Sequence, residues 1–186
     1  PENLIEELSI KDLSSLTLIS NNIGNAGKGL SILLRQGKVK KAICSYVGGN
    51  PDLEKLMIND EIEVELVPQG TFSERIRAHG VGIRAFFTPT GYGTVVANNK
   101  EVKKFDKECI LEESLGAEYA IIKAQKGDKY GNLFFKETAR NFSPLMAMAA
   151  NNTIVEVEEL VEVGEINPHD VHLPGIFVQK IFQGTD

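Results

Sequence analysis

The sequence predicts an α/β fold, an open and largely parallel sheet with helices on both faces, and three observations carry that prediction. Hydrophobic periodicity switches repeatedly between strand-like and helix-like runs along the chain. Most strand-like runs stop at Gly, Asn or Pro, so loops gather where strands end. The stretch EIEVELV (61–67) shows strand alternation most clearly, with Ile62, Val64 and Leu66 on one face and Glu61, Glu63 and Glu65 on the other. Alternating strands and helices pair their strands in parallel, with helices crossing over both faces.

The elements follow in order. PENLIEEL reads as a first helix with Pro1 near its start, where a missing N–H costs nothing. LTLIS (16–20) is a short strand running into Asn21, Asn22 and Gly24. Residues 27–36 read as a helix stopped by Gly37, and KKAICSY (40–46) as a strand broken at Gly48, Gly49, Asn50 and Pro51. DLEKLMI is a short helix. After EIEVELV and Pro68-Gln69-Gly70, TFSERIRAHG reads as a helix with Thr71 as its N-cap. AFFT (85–88) opens a strand ending in PTGYGT, and EVKKF and ECILEE resemble hairpin arms. YAIIKA (119–124) is a buried strand, KGDKYGN a turn and LFFKE (133–137) a strand. PLMAMAAN is a helix, TIVEVEEL a strand, and HLPGIFVQKIF a closing extended segment. With no repeat, linker or low-complexity tract, residues 1–186 read as one domain.

Composition narrows the function. Hydrophobic residues make up 42% of the chain and charged residues 25%, the balance of a globular protein. A net charge of -6 argues against nucleic acid or an anionic membrane surface as partner. No apolar run approaches the ~20 residues that span a bilayer, and PENLIEELSI lacks a signal-peptide pattern. Cys44 and Cys109, inside apolar strands, read as buried reduced thiols of a cytoplasmic protein. The start at Pro1, directly in a helix, leads us to expect a further N-terminal segment in the natural protein.

Ligands of open α/β sheets bind at the carboxyl ends of strands. Four loops there are rich in Gly, Asn and Gln: Asn21-Asn22, Pro68-Gln69-Gly70, Thr88 to Thr94 and Lys126 to Asn132. Glycine lets backbone amides approach a ligand, and Asn or Gln adds donors for a developing oxyanion. TGYGT has neither dinucleotide-site nor P-loop spacing. His169 and His172 sit between Pro168 and Pro174 without a matching ligand constellation, so no metal is expected. No serine stands in a G-x-S-x-G elbow. Glu74, Glu112, Glu113 and the cluster Glu156, Glu158, Glu159, Glu162 read as solvated or ion-paired. Arg140 reads equally well as a carboxylate clamp or a structural loop pin.

Longer strings go further. SNNIG (20–24), EVELVPQGTFSERIRAHGVGI (63–83), FTPTGYGT (87–94), GDKYGNLFF (127–135), ARNFSPLMAMAA (139–150) and HLPGIFVQKI (172–181) together resemble the smaller, A-type subunit of family I coenzyme A transferases of the 3-oxoacid type. The resemblance spans essentially the whole chain in order. It also implies a preceding strand and a GGF-x-x-x-G-x-P signature ending at Pro1.

What the resemblance implies is a ping-pong exchange through a glutamyl-CoA thioester, with that glutamate on a B-type partner and coenzyme A as substrate rather than resident cofactor. The expected assembly is an A2B2 heterotetramer. The A-type half would supply a wall of the site. The backbone N–H of Asn21 would serve the oxyanion hole, Gln69 would face the acyl group, and Asn22, Gly70 and Thr71 would complete the shape. Residues 23–28 depart from the Gly-x-Asp-Asn-Phe-Gly form of succinyl-type enzymes, which leaves the choice among succinyl-, acetyl- and butyryl-CoA open. Two other readings stand beside it: a phosphosugar isomerase-like enzyme and a non-catalytic binding module.

Overall fold

The structure is a computed structural model and describes residues 1–184. Helix α1 (Glu2–Ile10) leads into strand β1 (Leu16–Ile19). Helix α2 (Ser31–Arg35), strand β2 (Val39–Cys44), helix α3 (Pro51–Ile58) and strand β3 (Glu63–Leu66) follow. The three strands form a parallel sheet in the order β1-β2-β3. Helix α2 is shorter than the periodicity of residues 27–36 suggests, because Gly27 and Gly29 take positive φ and keep that approach in turns. Ile23, Leu33, Leu34, Val39, Ala42, Cys44, Leu53 and Ile62 pack into one core cluster with this sheet.

On β3 the inward face fades along the strand. Ile62 is buried and Val64 packs against the core, but Leu66 is 55% exposed. This strand is the sheet edge, and the cluster that covers its start does not reach its end. Glu65, on the face opposite Ile62 and Val64, is half-buried against Arg75 and Lys41.

Helix α4 (Gln69–Gly80) starts two residues before the predicted TFSERIRAHG helix. Pro68 occupies the N-cap position, and its carbonyl accepts the Phe72 N–H at 2.8 Å. Thr71 is therefore not the cap expected from sequence. It lies inside the first turn, buried, because Pro68 supplies a fixed φ one step upstream of Gln69. Phe72, at 1% exposure, anchors the helix in a cluster with Ile43, Val67, Ile76 and Ala149. Such burial contributes about 1.5–3 kcal/mol.

Strands β4 (Ala85–Thr88), β5 (Val102–Lys104) and β6 (Glu108–Glu113) form an antiparallel sheet ordered β4-β6-β5, so the predicted hairpin arms do pair. A third sheet holds β7 (Ala117–Asp128), β8 (Leu133–Phe134), β9 (Ala150–Val161) and β10 (Lys180–Gln183), ordered β10-β9-β7-β8. Here β10, β9 and β7 run parallel, and β8 turns back against β7. Helix α5 (Ser143–Ala149) passes directly into β9, and Thr153 Oγ1 closes that junction on the Ala147 carbonyl at 3.1 Å. The α/β class and its parallel pairing hold. The pairing is divided between two sheets, and an antiparallel one is inserted between them in sequence.

Two of the recognisable strings interlock in the third sheet. The buried Asp128 carboxylate accepts the backbone N–H groups of Tyr130 and Asn132 and the Asn132 side-chain amide. Asn132 Oδ1 then accepts the Gly175 N–H at 3.0 Å. A Cβ at Gly175 would collide with the Tyr130 carbonyl oxygen, so only glycine lets the two loops close.

His172 completes this region. Its ring stacks on Phe134 at 4.8 Å, and its Nδ1 accepts the Phe135 N–H at 3.1 Å. Burial, and after it the charge of Arg140, hold its pKa below the usual histidine value against the pull of Asp170. The unfolded chain therefore binds the proton first. The stabilisation is complete above about pH 6.5 and diminishes as pH falls below it. Between about pH 7.5 and about pH 5.5, the thermal midpoint should fall more for the wild-type chain than for His172→Asn. Parallel melting curves at the two pH values check this, and equal slopes would remove His172 as the cause.

Candidate active site

The carboxyl ends of β1, β2 and β3 release three loops side by side. In the first, the Ser20 N–H continues the ladder to the Ile43 carbonyl, and the chain then turns at Asn21. The Asn21 carbonyl points at the end of β2, where it accepts the backbone N–H of Ser45 at 3.2 Å and of Tyr46 at 3.1 Å. The Ser45 hydroxyl stands 3.1 Å from that same oxygen and is also hydrogen-bonded to Gln69 Oε1. Ser45 thus ties the loop after β1 to the start of the helix after β3.

The first loop is braced from behind by Asn50, which is 2% exposed. Its amide donates to the carbonyls of Ile23 and Gly24 at 3.0 and 2.9 Å. Its oxygen caps α3 by accepting the N–H groups of Asp52 and Leu53. One buried side chain thereby fixes both a helix terminus and the turn that follows Asn22.

The predicted residues separate into two groups. Asn21 and Gln69 come together through Ser45, both exposed to solvent. Asn22 turns its side chain onto the Gly24 N–H at 3.1 Å, a local turn contact rather than a reach toward Gln69. Gly70 is exposed, and a Cβ there would meet nothing within 4 Å, so it leaves open space before the helix. Thr71 is buried, and its Oγ1 has no hydrogen-bond partner. Among the described residues, no protein acceptor meets the N–H groups of Asn21, Gln69, Gly70 or Thr71. The last three are the opening amides of α4, a natural place for negative charge.

The other two glycine-rich loops lie elsewhere. Thr88 to Thr94 leaves the antiparallel sheet, and Lys126 to Asn132 turns between β7 and β8. The expected gathering of four loops at one sheet edge is therefore a gathering of two. Ser45, which joins those two, is a residue that sequence reasoning misses, because KKAICSY reads as strand through Tyr46 whereas β2 ends at Cys44 and leaves Ser45 at the loop's start.

A cleft of about 540 Å³ opens at the other end of α4, lined by His79, Arg84, Glu113, Ser114, Glu118 and Asn151 among others. Ser114 Oγ is 3.4 Å from His79 Nδ1, too long for an efficient proton relay. A Cβ on Gly116 would collide with His79 Nε2, so that nitrogen lies against the glycine, and among the described residues no carboxylate is hydrogen-bonded to the ring. This is not a Ser–His–acid arrangement.

Among the described residues, the site at the ends of β1, β2 and β3 offers hydrogen-bond donors on two adjoining loops. The coenzyme A transferase family profile matches residues 1–184, and the chain belongs to that family as one component of a CoA-transferase. It is 51% identical, over 99% of its length and 80% of the relative's, to the A-type subunit of succinyl-CoA:3-ketoacid coenzyme A transferase from Helicobacter pylori. It is 47% identical to the A-type subunit of 3-oxoadipate CoA-transferase from Pseudomonas putida, over 97% of the chain and 80% of the relative.

Solved structures agree on the fold. The acyl-CoA transferase YdiF apoenzyme of Escherichia coli superposes with a TM-score of 0.88 at 23% identity, covering 97% of this chain and 40% of that one. Glutaconate coenzyme A-transferase of Acidaminococcus fermentans gives 0.86 at 18% identity, covering 97% of this chain and 65% of its own.

Proposed function

We propose that this chain is the A-type subunit of a 3-oxoacid CoA-transferase, moving CoA between an acyl-CoA and acetoacetate in complex with a B-type partner, in an A2B2 heterotetramer of the cytoplasm. The observation that carries the reading is the junction of Asn21, Ser45 and Gln69 at one sheet edge, next to unfilled helix amides. The names of the relatives favour succinyl-CoA as the donor.

In this reading a glutamate carboxylate of the B-type partner attacks the thioester carbonyl. The Asn21 N–H meets the oxyanion while Gln69 holds the acyl end. Collapse expels the CoA thiolate and leaves a mixed anhydride. The thiolate then attacks the glutamyl carbonyl, releasing the first carboxylate and forming the glutamyl-CoA thioester. Acetoacetate reverses these steps and leaves as acetoacetyl-CoA. CoA is a substrate throughout, and this chain contributes positioned donors rather than a covalent group.

The test is co-expression of this chain with its B-type partner, followed by assay of CoA transfer from succinyl-, acetyl- and butyryl-CoA to acetoacetate. Activity in the mixture and in neither chain alone is expected, with succinyl-CoA preferred. Full activity from this chain alone would contradict the division of the site.

A further inference from the structure

We propose that Ser45 is a positioning residue that decides which end of the Gln69 carboxamide faces the substrate, an inference that rests on the proposed placement of Gln69 at the acyl group. The contacts of the Ser45 hydroxyl set the orientation. A serine hydroxyl has one proton to donate, and Ser45 Oγ touches two oxygens, the Asn21 carbonyl and Gln69 Oε1. The Asn21 carbonyl already accepts two backbone N–H groups, from Ser45 and Tyr46, which occupy its two lone pairs. The hydroxyl proton therefore goes to Gln69.

That assignment fixes the amide. Gln69 Oε1 is held by Ser45, and among the described residues no protein acceptor engages the Nε2 group, which keeps its two N–H donors on an exposed side chain. The flipped amide would make Nε2 donate to Ser45 and leave the hydroxyl proton to solvent, giving up the Ser45–Gln69 Oε1 bond. Ser45 is itself fixed by its backbone N–H on Asn21 and by its place at the end of β2. Without it, the exposed Gln69 side chain is free to rotate and to present its oxygen instead. The structure thus selects for a ligand that accepts hydrogen bonds at this point, a carbonyl or carboxylate oxygen, over one that donates them.

Variants purified in complex with the B-type partner test this with succinyl-CoA and acetoacetate. Ser45→Ala should lower kcat/KM about threefold to tenfold, the worth of one neutral hydrogen bond, and Ser45→Thr should restore it. In a Gln69→Ala background, Ser45→Ala should have no further effect, because Ser45 acts only through Gln69. An equal loss in both backgrounds would make Ser45 merely structural and overturn the proposal. Gln69→Glu separates the two amide orientations without disturbing Ser45. A carboxylate takes the serine proton equally well but offers the substrate no donor, so activity should fall at least as far as in Gln69→Ala. Retained activity in Gln69→Glu would show that an acceptor faces the substrate, and the assignment would be wrong. Unchanged kinetics in Gln69→Ala would instead sink the reading of Gln69 itself, on which this inference stands.

Discussion

Gln69→Ala is expected to lower turnover of the assembled transferase by about 10- to 1000-fold, reaching at most the loss of about 100- to 1000-fold that follows deletion of one donor to a developing oxyanion. The loss should not come from folding. Gln69 is exposed at the first position of α4, where its side chain covers no core and alanine is a good helix former. Its side chain is held by Ser45, whose part-exposed hydroxyl can turn to solvent when the amide is gone. The thermal midpoint should therefore match that of the unaltered complex while kcat falls. Steady-state kinetics beside a melting curve check both halves. A fall confined to KM would mean that Gln69 binds substrate and transition state equally, and its role would be recognition alone.

How far the sequence reveals such a site depends on whether the signal is local. The strand–helix alternation is local, and most elements fall where periodicity puts them, within a few residues. The turn chemistry of Asn21-Asn22 and Pro68-Gln69-Gly70 is also local, so two walls of the site are legible as strand ends. Ser45 is not, because its importance comes from lying between two loops that its sequence neighbours do not touch. Asn50 shows the same limit, since its cap on α3 is readable while its grip on the Ile23 and Gly24 carbonyls is not. Pairing across sheets is least legible of all. The loops at residues 88–94 and 126–132 carry the same composition as the site loops but belong to other sheets.

Buried charge misleads in a similar way. Glu112 and Glu156 read as solvated or ion-paired, and the structure pairs them but also buries them, each only 2% exposed. Their partners lie far along the chain. Glu156 accepts the Asn3 amide and faces the Leu4 N–H at the opening turn of α1. Glu112 is matched by Lys100 at 2.6 Å and faces Arg75 at 4.0 Å. A strand pattern counts such a residue as outward, because alternation says which face a side chain takes and not what later covers that face.

Arg75→Met should be the most damaging single change outside the apolar clusters, and it separates two arginines two residues apart on one helix. The Arg75 side chain is 12% exposed and reaches two strands, β3 and β6, from α4. Its Nη1 meets Glu65 of β3 at 2.7 Å, its Nε donates to the Glu113 carbonyl of β6 at 2.8 Å, and Glu112 lies beside it. Burial alone would raise the Glu65 pKa, but the hydrogen bond and charge of Arg75, with Lys41, bring it below the usual glutamate value. Removing the guanidinium leaves Glu65 and Glu112 short of a cation in a partly dry setting. The expected cost is about 1–2 kcal/mol, between an exposed pair and a buried one, because Lys41 still serves Glu65, which is partly in water, and Lys100 still serves Glu112. Arg77, whose partner Glu74 is half in water, should be replaceable by methionine with no measurable change. Urea unfolding at neutral pH measures both variants. Part of the Arg75 contribution should also disappear in acid, since a depressed glutamate pKa stabilises above the unfolded value of about 4.3 and is lost as pH falls through the folded one. Equal stability of the two variants would mean that α4 is held by Phe72 and Ile76 alone. The orientation of Gln69 at its first turn would then owe nothing to the charged anchor one face away.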